Sequence, residues 1–307
     1  MEILIVGPGA MGCLFAARLF NAGYKVTLLD HNEKRAEEIN SHGIDIQGVS
    51  GSYNARVPVI TKLSGINADI VLICVKSGNT IDAARSIKTA VKRNTLIATL
   101  QNGIGNVEIL KEFFGNDKII GGITSEGATS LAYGKIRHAG IGSTVLGPRE
   151  KSGASIDKLV EAFNKAGFSA SSANNVDDLI WGKLIINVGI NALTAITGLK
   201  NGQLPGFKGT FEIMKDAVDE AVAVSKAKNI SLPYDDPLKK VLEVCSNTSG
   251  NIASMLQDVL NKRTTEIAFI NGAICREGEC AGIPTPVNLT LTRLVETIES
   301  SYDMRLL

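Results

Sequence analysis

Three polar residues interrupt an otherwise apolar stretch of the sequence, LIWGKLIINVGINALTAI from Leu179 to Ile196. Lys183, Asn187 and Asn191 follow one another at four-residue intervals. On an α-helix each four-residue step turns a side chain by only about 40°, so the three polar groups line one face. An ammonium and two carboxamides on a buried face are unfavourable unless something pairs with them. The row predicts a polar ligand site; the alternative is a lysine that reaches solvent and two asparagines bonded to nearby backbone.

A nucleotide-binding pattern stands at the other end of the chain. Glu2 to Val6 is predicted to be a short strand, and a helix and a second strand over Lys25 to Leu29 follow it. Strand, glycines, helix, strand and a final acidic residue have the order of a Rossmann unit. The glycines permit a tight turn and a close approach of the pyrophosphate, and the amides at the helix start can hold the phosphates. The predicted cofactor-binding residues here are Gly7, Pro8, Gly9, Ala10, Met11 and Gly12.

Asp30, at the end of the second strand, bears on the choice of cofactor. A carboxylate at this position can accept hydrogen bonds from the adenosine ribose hydroxyls and repels a 2′-phosphate. His31, Lys34 and Arg35 follow closely and could reduce that repulsion. The sequence therefore favours NADH over NADPH and leaves both open.

The alternation of strands and helices continues through the first half of the chain. Residues 69–75 (DIVLICV) form a continuous apolar run, which is typical of a parallel strand covered on both faces. Lys76 ends this run, and Asn102 follows the next predicted strand, 95–100. Because ligands bind at the carboxyl ends of such strands, we expect both residues to face the cofactor; a solvated turn is the alternative. Residues 134–138 and 143–146 are predicted to pair as an antiparallel hairpin at the sheet edge.

From about residue 174 the patterns are helical, with six predicted helices punctuated by prolines. The fold class predicted is α/β: an N-terminal Rossmann-type doubly wound sheet over residues 1–173, and a C-terminal all-α domain over residues 174–307 that binds substrate and carries out catalysis. The predicted helices are 176–196, 208–228, about 236–246, 251–262, 265–280 and 286–299.

Composition limits the classes of function. The 307 residues carry a net charge of +1, so no basic field draws the protein to nucleic acid or to an anionic membrane. No signal peptide is recognisable, and no apolar run is expected to reach the roughly 18 residues of a membrane span. Five scattered cysteines form no zinc set and fit a reducing, cytoplasmic compartment. The second half has no histidine, which excludes a histidine acid or base there. The oligomeric state stays open, with a homodimer as one alternative.

Two further stretches contain candidate ligand-binding groups. Asn251 and Ser254 are placed near the start of the helix 251–262, where side chains and amides suit a carboxylate ligand; helix capping explains them equally well. Glu266 is placed in the first turn of the helix 265–280, where the helix dipole alone favours an acidic residue.

Together these motifs resemble the ketopantoate reductase (2-dehydropantoate 2-reductase) family. They are G-x-G-x-x-G, Lys76, Q-N-G-x-G, K-x-x-x-N-x-x-x-N, N-x-x-S-M-x-x-D, and R-x-T-E followed by Ile-Asn-Gly at 270–272. The resemblance covers almost the whole chain. It departs at Asp30-His31, where many members have an arginine that grips the NADPH phosphate.

The resemblance implies reduction of 2-dehydropantoate to (R)-pantoate by NADPH or NADH, a step toward pantothenate and coenzyme A. Lys183 would be the general acid, and Glu266 would act beside it. Asn187, Asn191 and Asn201 would bind substrate, and the segment from Asn251 to Ser254 would bind its carboxylate and hydroxyl. The positions near the cofactor and the reacting centre would be Lys76, Asn102, Ala128 and Glu266.

Two other readings stay open. The substrate could be another 2-oxo acid, or the chain could be like the β-hydroxyacid dehydrogenases, which also place a lysine and an asparagine four apart on a helix. Those enzymes usually precede the lysine with a glycine-rich run, which residues 179–182 only partly resemble. A non-catalytic NAD(H) sensor would instead bind the cofactor without turnover.

Overall fold

A computed structural model of the chain describes residues 1–148 and 156–305. The chain divides into two compact units. The first contains residues 1–101 and 106–176, and the second contains residues 102–105 and the chain from Asp177 onwards. The boundary lies three residues beyond the predicted one, because Val176 is fully buried and the Cβ of this valine lies beside Gly147 of the first unit. The short segment 102–105 was not predicted to leave the first unit.

The first unit is built on two sheets. Its strands are β1 (Glu2–Val6), β2 (Lys25–Leu29), β3 (Ile44–Gly48), β4 (Tyr53–Ala55), β5 (Val59–Ile60), β6 (Ile70–Ile73), β7 (Leu96–Thr99), β8 (Ile119–Thr124), β9 (Gly127–Ala132), β10 (Lys135–Gly140), β11 (Ser143–Gly147) and β12 (Ser169–Ser172). Its helices are α1 (Ala10–Asn21), α2 (Glu33–His42), α3 (Thr80–Ile87), α4 (Asn106–Phe114) and α5 (Asp157–Lys165).

The larger sheet has the strand order β12-β11-β8-β7-β6-β1-β2-β5 and is parallel except where β11 meets β8. Alternate residues of β1 enter two separate hydrophobic clusters: Ile3 and Ile5 enter one, and Leu4 and Val6 enter the other. Because side chains of a strand alternate between faces, this sheet is covered on both sides. The prediction of a doubly wound Rossmann-type sheet is confirmed.

The predicted hairpin of residues 134–138 with 143–146 is wrong. β10 pairs with β9 and β3 in a separate four-stranded sheet of order β4-β3-β10-β9, whereas β11 pairs with β8 and β12 in the larger sheet. The chain changes sheets at Gly140-Ile141-Gly142, where a Cβ on Gly142 would lie 2.5 Å from Ser125. The spacing of the two segments suggests a hairpin, but β10 forms its hairpin with β9, directly before it, and β11 pairs with β8 and β12. β3, β4, β5 and β9, together with α2 and α4, were not predicted.

A buried contact between a histidine and a glutamate joins the second sheet to the connection that follows β8. His138 Nε2 lies 2.6 Å from Glu126 Oε2, and both side chains are fully excluded from solvent. His138 Nδ1 lies 2.8 Å from Ser50 Oγ, and the amide of Gly142 donates to Glu126 Oε1 at 3.4 Å. The pair therefore fixes the turn through which the chain passes from one sheet to the other.

We predict that His138→Leu lowers the free energy of unfolding of the first unit by about 1–3 kcal/mol, because it leaves a buried oxygen of Glu126 without its hydrogen-bond partner. Urea unfolding of the full chain measures this difference. His42→Leu is the matched control, since His42 is exposed at the end of α2 and its replacement should change stability by less than about 0.5 kcal/mol. Equal effects of the two substitutions would contradict the role given to the pair.

The second unit is helical throughout its described residues, which confirms the predicted all-α domain. Its helices are α6 (Asp177–Thr197), α7 (Lys208–Ala227), α8 (Pro237–Asn247), α9 (Ser254–Leu260), α10 (Asn271–Ala281) and α11 (Pro286–Ser300), with short 3-10 turns at Asn201–Gly206 and Ile267–Phe269. α9 begins three residues later than predicted. The predicted helix 265–280 is split, since α10 starts only at Asn271.

α6 is the central helix of this unit and packs against α7, α8, α9 and α11. Gly189 permits the close approach, because a Cβ there would lie 2.9 Å from Val241 and 3.0 Å from Val218. By length and composition α6 could cross a membrane, contrary to the expectation from sequence, since one window of it has a mean hydropathy of 1.6. However, 67% of that window is buried inside the protein, as in the core helix of a folded domain.

Candidate active site

The polar face of α6 forms as predicted. Lys183 and Asn187 are half-buried and Asn191 is buried, whereas the neighbouring apolar residues of the helix lie in the hydrophobic core. The Tyr234 hydroxyl donates to the Gly182 carbonyl at 2.7 Å, and a Cβ on Gly182 would lie 2.8 Å from Pro233. The residue before Lys183 is therefore a glycine that allows the 233–234 segment to rest directly on the helix.

Lys183 has an altered pKa. Burial lowers the pKa of the ammonium group from 10.5 to about 8, and the negative charge of Glu266 opposes that shift. Glu266 is itself buried, with 7% of its surface exposed, and it directly precedes the 3-10 turn Ile267–Phe269. Near neutral pH the lysine is thus mostly charged but close to giving up its proton, which is what a general acid requires.

Asn102 reaches Glu266 from a distant part of the sequence. Its Nδ2 donates to Glu266 Oε2 at 3.1 Å, and the Ile104 amide donates to the Phe269 carbonyl at 3.1 Å. Gly103 between them has φ +82°, and a Cβ there would lie 2.1 Å from the Phe269 oxygen. Only glycine fits this contact. The second unit therefore gathers Asn102, Lys183 and Glu266 from three separate stretches.

Two more predicted substrate residues lie together. Asn201 is buried in the 3-10 turn after α6, and its amide N–H donates to the Asn251 carbonyl at 3.2 Å. Its Nδ2 donates to Thr248 Oγ1 at 2.9 Å. Asn251 and Ser254 are exposed, and Ser254 is the first residue of α9. Thr248 was missed in the sequence, where it is an unremarkable residue at a helix end.

The glycines of the first βα turn fit a dinucleotide. Gly7 has φ +98°, and a Cβ there would lie 2.7 Å from Val75, so the turn requires glycine. A Cβ on Gly12 would lie 2.0 Å from the Gly7 carbonyl, so this glycine brings α1 close to the strand. Gly9 has open space around its Cβ position, and Ala10 begins α1. These are the three glycine roles of a pyrophosphate-binding turn. Pro8 lies within the same turn, and Met11 is the second residue of α1.

Asp30, at the end of β2, is paired with Arg35. Its side chain is fully excluded from solvent, and both oxygens are paired with Arg35, whose Nε and Nη2 each donate at 2.6 Å. The Asn32 amide also donates to Oδ1, at 3.0 Å. The role of Asp30 toward the ribose and a 2′-phosphate stays a prediction, and the structure adds to it the ion pair with Arg35. Asn32 caps α2, and that turn brings Arg35 back onto Asp30.

Comparison with known proteins identifies the family to which the chain belongs. Residues 3–151 match the family description "Ketopantoate reductase PanE/ApbA", and residues 175–299 match its C-terminal counterpart. The chain belongs to the ketopantoate reductase family. It is 33% identical to a 2-dehydropantoate 2-reductase of Vibrio cholerae over 99% of both chains. A PanE/ApbA family ketopantoate reductase from Ralstonia eutropha superposes with a TM-score of 0.91 at 31% identity, covering 99% of this chain and 100% of the other.

D-mandelate dehydrogenase in a ternary structure with NADH and anilino(oxo)acetate is also similar, with a TM-score of 0.92 at 27% identity over 99% of both chains. The chain is therefore an oxidoreductase of the ketopantoate reductase family, and its cofactor is a nicotinamide dinucleotide. The open turn at Gly9 fits that cofactor.

The remaining predicted cofactor residues of this family member lie in the first unit. Lys76 is exposed and directly precedes the 3-10 turn Ser77–Asn79 and α3. Ala128 is half-buried in β9 and lies opposite His138 in the ladder. Asn106 belongs to the first unit, although Asn102 to Gly105 just before it belong to the second.

Sequence reasoning missed a buried network that fixes the turn after β6. Gln101 Nε2 donates to the Val75 carbonyl at 2.8 Å and to Thr80 Oγ1 at 2.9 Å. Thr80 Oγ1 lies 2.8 Å from Asn106 Oδ1, and Asn106 Nδ2 donates to Ser77 Oγ at 3.1 Å. The available signal was weak: Thr80 and Asn106 are the first residues of α3 and α4, where capping would explain them.

We predict that Glu266→Gln lowers the pKa of Lys183 below about 8, because the negative charge of Glu266 raises this pKa against the effect of burial. NMR titration of the protein labelled on lysine side chains measures this pKa without substrate or cofactor. Glu266→Asp retains the charge and is the matched control, for which we expect a smaller change. An unchanged pKa in the glutamine variant would show that Glu266 does not hold the ammonium charged.

Proposed function

We propose that the protein reduces 2-dehydropantoate to (R)-pantoate, a step toward pantothenate and coenzyme A, with Lys183 as the general acid. The observation that supports the proposal is the group of Lys183, Glu266 and Asn102, in which a lysine of lowered pKa feels the charge of a carboxylate that Asn102 holds. The name 2-dehydropantoate 2-reductase, carried by relatives at 30–33% identity over nearly the whole chain, supports the substrate. The five cysteines are free, which fits a reducing cytoplasmic compartment.

A nicotinamide dinucleotide held by the turn from Gly7 to Gly12 would supply hydride chemistry for reduction of the ketone carbon. The ketone oxygen gains negative charge in this step, and the Lys183 ammonium stabilises that charge and then donates its proton to the oxygen. Glu266 keeps the ammonium charged before the step, and Asn102 holds the Glu266 carboxylate in place. Asn187 and Asn191 share the helix face of Lys183 and are the proposed anchors for the substrate.

We predict that Lys183→Ala lowers kcat by about 10²–10⁴-fold while cofactor binding is retained, since Lys183 acts on the ketone oxygen. Steady-state reduction of 2-dehydropantoate measures kcat, and the quenching of protein fluorescence by the reduced cofactor measures binding. In the wild-type protein, activity should fall above about pH 8, where Lys183 has lost its proton. A near-wild-type kcat in the alanine variant would refute the assignment. Cofactor binding by a wild-type protein without any turnover would favour the sensor.

The ion pair of Asp30 with Arg35 bears on the choice between NADH and NADPH. The carboxylate is neutralised in place, and His31, with 87% of its side chain exposed, lies beside it. An unpaired carboxylate would repel a 2′-phosphate, but a paired one does so only weakly. We therefore infer that the enzyme accepts both cofactors.

We predict that Arg35→Ala raises the KM for NADPH at least about tenfold more than the KM for NADH, because it exposes the charge of Asp30. Asp30→Asn, which retains Arg35, should change the ratio in the opposite direction. Steady-state kinetics with each cofactor in parallel give both ratios. Equal effects on NADH and NADPH in both variants would show that this pair does not determine the choice.

A second candidate function is the reduction of a different 2-oxo acid, which the similarity to D-mandelate dehydrogenase favours. It requires the same lysine and the same cofactor, so the Lys183 variant does not distinguish it. A panel of 2-oxo acids with aliphatic, hydroxylated and aromatic side chains does, through the ratios of kcat/KM. A preference for a 2-oxo acid other than 2-dehydropantoate would favour this candidate.

A further inference from the structure

Asn201 holds a buried carboxamide of which only one end is paired. Its side chain is buried, with 7% of the residue exposed, and Nδ2 donates to Thr248 Oγ1 at 2.9 Å. Its Oδ1 is buried and has no hydrogen-bond partner within the described part of the chain. An unpaired buried acceptor is unfavourable, so a bound group that donates a hydrogen bond to it would be stabilised.

Thr248 determines which end of that carboxamide remains without a hydrogen-bond partner. Its hydroxyl donates to the Val244 carbonyl one helical turn earlier, at 2.7 Å. A hydroxyl has a single proton, so toward Asn201 the oxygen of Thr248 can only accept. The carboxamide nitrogen must therefore face Thr248, and the carboxamide oxygen must point the other way.

The backbone around Asn201 fixes it against an exposed segment. The Asn201 amide donates to the Asn251 carbonyl at 3.2 Å, and the Gly202 amide donates to the Ser249 carbonyl at 3.4 Å. A Cβ on Gly202 would lie 2.5 Å from the Cβ of Ser249, so the segments around these two residues are in direct contact. Residues 249–252 are exposed, so Asn201 is buried directly beneath a segment of the surface.

A ketone and a carboxylate accept hydrogen bonds but cannot donate them, whereas a hydroxyl group can. We propose that Thr248 is a positioning residue that sets substrate selectivity: by turning the Asn201 oxygen toward the ligand, it selects 2-oxo acids that carry a hydroxyl group. This inference rests on the proposed function. It adds to that function the group of the substrate that is recognised, a hydroxyl, and the residue that makes the recognition selective, Thr248.

The test compares two acids with the same carbon skeleton, 2-dehydropantoate and 3,3-dimethyl-2-oxobutanoate, which lacks the hydroxyl. The wild-type enzyme should favour the hydroxylated acid at least about 100-fold in kcat/KM, because the other acid leaves the acceptor unpaired. Valine has nearly the same shape as threonine but offers no hydrogen-bond acceptor. In Thr248→Val the Asn201 carboxamide is therefore free to rotate and exchange the positions of its oxygen and nitrogen. This substitution should reduce the preference at least about tenfold. Thr248→Ser retains the hydroxyl and should restore the preference.

The ratio separates selectivity from a general loss of structure. If Thr248 merely supported the fold, Thr248→Val would lower kcat/KM for both acids alike and leave their ratio unchanged, and that result would overturn the proposal. Equal reduction of both acids by the wild-type enzyme would overturn it too, while leaving the reductase function standing. Failure of the wild-type enzyme to reduce either acid would overturn the proposed function, and this inference with it.

Discussion

The arrangement of the helical unit depends on one electrostatic balance, a lysine ammonium held on a largely apolar helix beside a buried carboxylate. Burial alone makes the Lys183 charge unfavourable, and Glu266 only partly restores it. A full compensation would leave a permanently charged lysine, which donates a proton poorly near neutral pH. A lack of compensation would leave a neutral amine without a proton to give. The pKa of Lys183, about 8, lies between these limits, which suits the proposed role of a general acid.

That balance requires Glu266 to be held still, which explains the glycine at position 103. A carboxylate that could rotate toward solvent would lose its influence on the lysine. Asn102 fixes it by a hydrogen bond, and Asn102 in turn is fixed because the 102–105 segment contacts the backbone at Phe269. No residue with a Cβ could make that contact at Gly103. The backbone contact at Gly103, far from Lys183 in the sequence, therefore influences the pKa of Lys183 through Asn102 and Glu266.

The sequence predicts those parts of the molecule that local periodicity determines. The parallel sheet and the six helices follow from apolar runs and four-residue spacing, and the polar face of α6 was visible at once. The partner strand of β10 could not be predicted. An alternating pattern shows that one face of a strand is buried, but it does not show with which strand it pairs. The ion pair of Asp30 with Arg35 was not predictable either, since it depends on how the Asn32 cap turns α2 back onto the end of β2. Thr248 carried no signal, because its importance lies in the direction of a single hydroxyl proton.

Asp30 and Glu266 show why a carboxylate cannot be assigned a role from its position alone. Both are buried acidic residues in the predicted site. Asp30 has a bidentate partner that stays charged at any physiological pH, so its own charge is cancelled and has little effect on a ligand. Glu266 receives a neutral amide from Asn102, which orients the carboxylate without cancelling its charge, so the field at Lys183 persists. The two carboxylates therefore differ in a partner that the structure shows: Asp30 is paired with a guanidinium, whereas Glu266 accepts a hydrogen bond from a carboxamide and raises the pKa of Lys183.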